Sequence, residues 1–393
     1  MATLSQFFQK NEIGGGGAAP TSAYFRIFTS STCITVPSCA NYVAYGVIGG
    51  GSGGTSGAGC FSSNYHSCGG AGGGFSWMES NQSSASNFNV TITVGSGGSF
   101  CANAGTSSIS GFCAGTICAT GGSCIIYCNL GPGLCSICSL PGCGVGGLIN
   151  TCGGLGGIGC SIIGSSGGGG GAGGLLGSGG TGGAASCCAG GGGGGFGSGG
   201  GGGAGSPFSR MCVVGPGFGG AGGPGAGSGG SLSIPTCIIC SYHVSAAGGN
   251  GLSGRGGQAI TDSLIYSCSF TLTNSNQESE PESGYILQSV RCGYSQAKTF
   301  LAASGGGGAS CWRMLCGIHK SSGQDGAAGG GGGFGASCCD ASGSGRGGFG
   351  AGSAAGACAI IGGGGGGYSC AISYGTPGCC GGQGIAVVEY WVS

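Results

Sequence analysis

The sequence predicts a mainly β protein, built of short-stranded, glycine-rich, β-sandwich-like modules with extended polyglycine segments and very little helix. Glycine accounts for 111 of the 393 residues, against a usual share of about 7 %, and glycine weakens helices. Short runs of β-branched and aromatic residues alternate with polar ones, which is typical of strands. The mean hydropathy of +0.32 is positive, whereas disordered chains are usually poor in apolar residues.

The charge balance bears on the partners of the chain. Charged residues make up 5 % of the sequence, and nine acids balance nine bases. No Lys/Arg cluster or stripe is present, which argues against nucleic acid as a partner. Because a chain without net charge does not repel its copies, we expect self-association into a homo-oligomer, with a trimer as one option.

Residues 1–20 predict an N-terminal attachment peptide and hinge, with a frayed terminus as the alternative. Leu4, Phe7 and Phe8 could share one face of a short helix, which the glycines at 14–17 would end. The segment lacks the basic and apolar regions of a secretory signal. No window approaches 18 consecutive apolar residues, so we expect no membrane insertion.

Residues 21–150 predict a glycine-rich β domain. Its strand candidates are 24–28, 33–37, 42–48 and 89–95, and glycine stretches separate several of them.

The run from Cys33 to Gly122 contains TCITVP, NYVAYGVIGGGSGG, GGAGGGFSWM, NVTITVGSGG and GTSSISGF in that order. It resembles the glycine-rich domain of tailed-bacteriophage tail-fibre and related virion proteins, and residues 381–391 resemble the closing strand of such domains. The resemblance implies a structural protein of a tailed-phage virion, in a fibre, tail, neck or capsid-decorating appendage, with other virion proteins as partners. Such a protein would be made in the host cytoplasm and become extracellular on release. The cysteine content departs from that family, in which it is ordinarily low.

Residues 151–235 predict a polyglycine-rich segment, with unbroken glycine runs at 167–171, 190–195 and 199–203. A flexible linker is one interpretation. However, apolar residues such as Leu175 and Phe196 interrupt the runs, and a linker gains nothing by exposing them. The alternative is that extended polyglycine segments, with three residues per turn, lie side by side and hydrogen-bond to one another.

Residues 236–393 predict a second glycine- and cysteine-rich β domain with a closing C-terminal strand. Its strand candidates are 237–244, 264–273 and 285–290.

The chain has 29 cysteines, a density typical of disulfide-stabilised proteins. Because 29 is odd, a fully oxidised monomer keeps at least one thiol or forms an interchain bridge. The alternative is that cysteines act as small buried apolar residues. Two CxxC pairs, at 135–138 and 237–240, lie too far apart for an ordinary zinc ribbon. The disulfide candidates are Cys33, Cys39, Cys60, Cys68, Cys187, Cys188, Cys338, Cys339, Cys379 and Cys380.

No nucleophile elbow, histidine motif or paired-carboxylate spacing is present, so we expect neither an enzyme nor a cofactor or metal site. Trp77, Tyr65 and Trp312 are candidate receptor contacts, since aromatic rings on loops can stack on sugars. The alternative is that these rings seal a thin core. An adhesin for a host surface glycan or protein is therefore the second functional hypothesis, and an extracellular cysteine- and glycine-rich coat protein is the third.

Overall fold

The fold is taken from a computed structural model of the chain. At positions 242–246, 310–315 and 318–323 only the strand backbone is described. The residues that the structure describes are 22–55, 68–82, 84–100, 102–124, 139–158, 167–184, 192–197, 222, 242–246, 297, 301, 310–315, 318–323, 346, 349–353, 358–365 and 380–392.

The prediction of a mainly β chain with very little helix is confirmed for this part of the sequence. Helical backbone occurs there only at Ala297 and Leu301. The strands are β1 (Ser22–Phe28), β2 (Thr32–Val36), β3 (Ala40–Ile48), β4 (Phe75–Asn81), β5 (Phe88–Thr93), β6 (Ser107–Ser110), β7 (Ile117–Ala119), β8 (Ser123–Cys124), β9 (Ser139–Leu140), β10 (Gly144–Val145), β11 (Ile149–Thr151), β12 (Tyr242–Ala246), β13 (Ser310–Leu315), β14 (Ile318–Gly323) and β15 (Ile385–Val392).

Two five-stranded antiparallel sheets form a sandwich. The first sheet has the order β1-β15-β3-β4-β11 and the second has the order β10-β7-β6-β5-β2. Side chains alternate between the two faces of a strand, so alternate residues of β3 and β15 face the second sheet. The buried residues between the sheets include Val43, Tyr45, Val47, Val90, Ile92, Ile109, Ile117, Ala386 and Val388.

The first sheet is buried on its other face as well. There a second core cluster forms against residues from the glycine-rich part of the chain and against Ala297 and Leu301. A Cβ added at Gly46 would lie 2.8 Å from Cε3 of Trp77 and 2.9 Å from Cδ1 of Leu301, so this strand needs glycine at that position. The other members of the cluster include Ala44, Ile48, Phe75, Ala172, Phe196, Ala351, Ile385 and Val387.

The closing strand β15 lies inside the first sheet, between the edge strand β1 and the central strand β3. It pairs antiparallel with β1, where Ala23 is opposite Trp391, and with β3, where Gly46 is opposite Val387. The sequence-based boundary at 236 assigned this strand to the segment 236–393, whereas its hydrogen-bonded partners β1 and β3 belong to the segment 21–150. A strand buried on both faces has a continuous apolar sequence, and that sequence does not specify which distant strands flank it.

A third, three-stranded antiparallel sheet has the order β12-β13-β14. In it Val244 is opposite Trp312, and Trp312 is opposite Ser321. The predicted strand at 237–244 overlaps β12. The predicted strands at 264–273 and 285–290, and the attachment peptide at 1–20, lie outside the described residues.

Candidate functional site

The glycine runs pack side by side into a body that we call the polyglycine lattice. Its segments continue directly from the sandwich, since 49–55 follows β3, 68–74 leads into β4 and 380–384 leads into β15. The lattice consists of residues 49–55, 68–74, 95–99, 102–106, 119–122, 153–157, 167–174, 177–183, 192–197, 350–353, 362–365 and 380–384.

Hydrogen bonds between the segments repeat at every third residue. Segment 167–174 donates to segment 177–183 through amides spaced three apart, with N···O distances of 3.1, 2.9 and 2.9 Å. This period is that of the polyproline II conformation, in which the backbone completes a turn in three residues. The bonds run from Gly168 to Gly183, from Gly171 to Gly180 and from Gly174 to Gly177.

Because the backbone turns once every three residues, a segment can form hydrogen bonds with neighbours on several sides. A strand pairs only with the neighbours at its two edges. Segment 68–74, by contrast, is surrounded by hydrogen-bonded neighbours, and so are 49–55 and 167–174. The partners of 167–174 are 68–74, 153–157, 177–183, 192–197, 350–353 and 362–365.

Close packing, rather than an unusual φ, makes glycine necessary inside the lattice. A Cβ added at Gly170 would overlap the carbonyl oxygen of Gly154 and lie 2.6 Å from that of Leu155. Real Cβ atoms essentially never come within 3.0 Å of such an atom. A positive φ matters instead at turns such as Gly197, where φ is 45°. The hypothesis of packed polyglycine is therefore confirmed for the described runs, and the linker interpretation is wrong for them.

Two hydroxyl side chains extend the hydrogen bonding of the lattice. Ser52 donates its N–H to the carbonyl of Ala71 at 2.9 Å, while its Oγ accepts the N–H of Ala71 at 2.8 Å. Three residues later, Thr55 does the same with Cys68, at 2.8 Å for its N–H and 2.7 Å for its Oγ1. Because both hydroxyls are buried, they satisfy backbone donors that water cannot reach.

The second core cluster joins the lattice to the sandwich. Phe196 is fully buried and contacts the ring of Phe349 edge to face, with centroids 5.3 Å apart. A Cβ added at Gly174 would lie 2.9 Å from Cζ of Phe196, so the glycine backbone packs directly on the ring. The apolar residues that interrupt the glycine runs therefore anchor one end of the lattice.

At the opposite end of the lattice, the chain crosses from one segment to the next. The crossing from 95–99 to 102–106 is a tight turn in which Ala102 N–H donates to the Ser99 carbonyl at 3.0 Å. Phe100 in this turn is 41 % exposed. The residues inside the other crossings lie outside the described part. Those crossings leave and re-enter the lattice at 55 and 68, 157 and 167, 183 and 192, and 365 and 380.

The described cysteines show where cross-links form. Cys143 and Cys152 form a disulfide with their Cα atoms 4.0 Å apart, a pair that was not among the candidates. Of the candidates, Cys68 is disulfide-bonded, whereas Cys33, Cys39 and Cys380 are exposed thiols. The candidates outside the described residues are Cys60, Cys187, Cys188, Cys338, Cys339 and Cys379.

Trp77 is not available as a receptor contact. Its side chain is 0 % exposed and lies in the second core cluster, because β4 is covered on the face that carries it. Phe75 and Trp77 are two positions apart, so they lie on the same face of β4. This spacing in the sequence could have indicated that Trp77 is buried together with Phe75. Tyr65 lies outside the described residues, and Trp312 is described only as backbone of β13.

Comparisons with known proteins give no relative. No protein-family model matches the chain, and neither does any curated protein sequence. In the described residues, His, Cys, Asp and Glu side chains form no group of three or more that could hold a metal ion. Over the same residues, the structure has no helix with the length and apolar character needed to cross a membrane.

A few ionisable groups are buried beside the first sheet. The hydroxyl of Tyr42 donates to Oε2 of Glu79 at 2.7 Å, and burial together with this carboxylate raises the pKa of Tyr42. Glu389 is buried and accepts the N–H of Ala297 at 2.9 Å. Burial also raises the pKa of Tyr45 to about 12.

Proposed function

We propose that this protein is a structural component of a tailed-bacteriophage virion, in a fibre, tail, neck or capsid-decorating appendage, and that it assembles as an oligomer. Its role is mechanical rather than enzymatic. The observation that carries the proposal is the polyglycine lattice, in which the described glycine runs form a packed body. The resemblance of residues 33–122 to glycine-rich virion domains supports the same role.

The physical argument is one of stiffness. Segments such as 167–174 are hydrogen-bonded to neighbours in several directions, so bending one segment strains bonds to all of them. The lattice continues through β3, β4 and β15 into the sandwich without a linker. Disulfides such as Cys143–Cys152 add cross-links. A stiff, nearly uncharged body of this kind suits a particle component that must keep its shape outside the cell.

A host-receptor-binding adhesin is a second candidate on the same architecture. The observation that favours it is that the crossings between segments leave and re-enter the lattice at the end away from the sandwich. Binding proteins place their recognition residues on loops held by a rigid scaffold. The sequence between 55 and 68 contains Cys60, Phe61, Tyr65 and His66, which suits contact with a surface glycan or protein.

The test is to locate the chain in a particle. Antibodies raised against the purified protein are applied to phage particles released from cells that carry its gene, and gold label is imaged by electron microscopy, with pre-immune serum as the control. Label at one defined appendage is expected. Label absent from particles in which mass spectrometry also fails to detect the chain would overturn the proposal. Inhibition of adsorption by the same antibodies would favour the adhesin.

A further inference from the structure

Two thiols that are distant in sequence meet at the edge of the polyglycine lattice. Cys358 and Cys380 are separated by 22 positions, and the N–H of Cys380 donates to Sγ of Cys358 at 3.2 Å. One residue further on, Ala359 N–H donates to the carbonyl of Cys380 at 3.1 Å. Both cysteines are exposed, so a small oxidant in solution can reach them.

The lattice holds the backbones beside both thiols in a fixed register. Ile361 and Gln383 form a parallel β-bridge. Gly362 N–H donates to the Gln383 carbonyl at 2.7 Å, and Gly382 N–H donates to the Gly363 carbonyl at 2.9 Å. Because these bonds fix the two segments against each other, the two cysteines stay beside each other in the folded chain.

We propose that Cys358 and Cys380 are an oxidation site that closes into an intrachain disulfide, with a low-molecular-weight disulfide such as oxidised glutathione as the co-reactant. One cysteine thiolate attacks a sulfur of the co-reactant, which forms a mixed disulfide and expels one small thiolate. The second cysteine thiolate then attacks the protein sulfur of the mixed disulfide and expels the other. Two protein thiols are thereby oxidised to one disulfide, and the co-reactant is reduced to two small thiols.

The consequence is a clamp on the closing strand. The bridge would tie segment 358–365 to segment 380–384, which leads directly into β15, the strand between β1 and β3 in the first sheet. Partial desolvation and the neighbouring Cys358 thiol raise the pKa of Cys380, so closure should become faster as the pH rises and the thiolate population grows. The inference concerns the chain's own thiols and is independent of the proposed function.

The test uses the full chain, incubated with reduced or oxidised glutathione, alkylated, and digested without reduction. Chymotrypsin can cleave after Tyr368 and Tyr374, between the two cysteines, so the bridge is detected by mass spectrometry as a linked peptide pair. Oxidation is expected to produce the Cys358–Cys380 pair and to raise Tm by about 3–5 °C, as estimated for closure of a loop of this length in a chain of this size.

Matched variants separate this bridge from its neighbours. Cys380→Ser should lose both the linked pair and the gain in Tm, whereas Cys379→Ser, at the adjacent position, should keep both. A wild-type chain in which both cysteines are alkylated after oxidation, or in which Cys380 is linked to another cysteine, would overturn the inference. Formation of the pair without a rise in Tm would contradict the proposal that the disulfide stabilises the closing strand.

Discussion

Adding one methyl group inside the polyglycine lattice should destabilise the protein strongly. In Gly170→Ala the new Cβ would overlap the Gly154 carbonyl oxygen and lie 2.6 Å from that of Leu155. Relief requires segment 167–174 to move away from segment 153–157, which strains the bond from Gly154 N–H to the Gly171 carbonyl, now 2.7 Å long. Apart from the new Cβ, the atoms in the clash and in the hydrogen bond are all backbone atoms. No side chain can therefore rotate away to relieve the overlap.

The expected change in the free energy of unfolding is the sum of two destabilising effects and one stabilising effect. Overpacking costs about 1–3 kcal/mol, and weakening a buried backbone hydrogen bond costs about 1–3 kcal/mol. Alanine also lowers the conformational entropy of the unfolded chain, which raises the free energy of unfolding by about 0.4–1 kcal/mol. We therefore expect a net loss of about 1–6 kcal/mol in the free energy of unfolding, centred on about 3 kcal/mol, which for a chain of this size lowers Tm by roughly 1–7 °C.

The assay is thermal and urea unfolding followed by circular dichroism, with Ala172→Gly as the matched control in the same segment. Ala172 is fully buried, so losing its methyl group should cost about 1–2 kcal/mol. Both variants should thus be destabilised, with Gly170→Ala the more affected. In a flexible linker the two changes would have small effects of opposite sign, and an unchanged or raised Tm for Gly170→Ala would refute the reasoning.

Three further predictions concern the anchors of the lattice and the sandwich core. Phe196→Ala should lower the free energy of unfolding by about 3–5 kcal/mol, because it empties a buried ring site; a change below about 1 kcal/mol in urea unfolding would contradict the anchoring role. Ser52→Ala should lower the free energy of unfolding by about 1–3 kcal/mol, because the buried N–H of Ala71 loses its acceptor. The control Ser84→Ala, in an exposed turn, should be nearly neutral; equal Tm values for the two variants would contradict the role of Ser52. The folded-state pKa of Tyr45 is raised to about 12 from 10.0, so its contribution to stability is complete below pH 10 and is lost as the pH rises from there towards 12. Tyr45→Phe should reduce that loss in a pH series of Tm values, and an identical pH profile would be evidence against it.

The local elements of the fold could be predicted from the sequence. The apolar and aromatic runs at 24–28, 33–37, 42–48 and 89–95 were predicted as strands, and they overlap β1, β2, β3 and β5. The apolar residues among the glycines also pointed in the right direction, since Phe196 is buried and Leu175 packs against the second core cluster. These predictions succeeded because they depend on side-chain pattern over a few neighbouring residues.

The partners of each segment could not be predicted in the same way. Strand register is encoded by which side chains must be buried, and a polyglycine run offers no side chain to encode it. Residues 350–353 and 362–365 therefore gave no sign that they pack against 167–174 and 68–74. The Cys143–Cys152 pair was likewise not recognised, because spacing alone does not determine disulfide connectivity.

The central claim is that the described glycine runs are a hydrogen-bonded lattice and not a tether, and native-state amide hydrogen exchange tests it most directly. Glycine amides in 167–174 donate to neighbouring segments, so they should exchange only through opening of the structure. The prediction is protection in 167–174 comparable to that in β3 and β15. Exchange of these glycine amides at the rate of an unstructured peptide, while β3 and β15 remain protected, would contradict it.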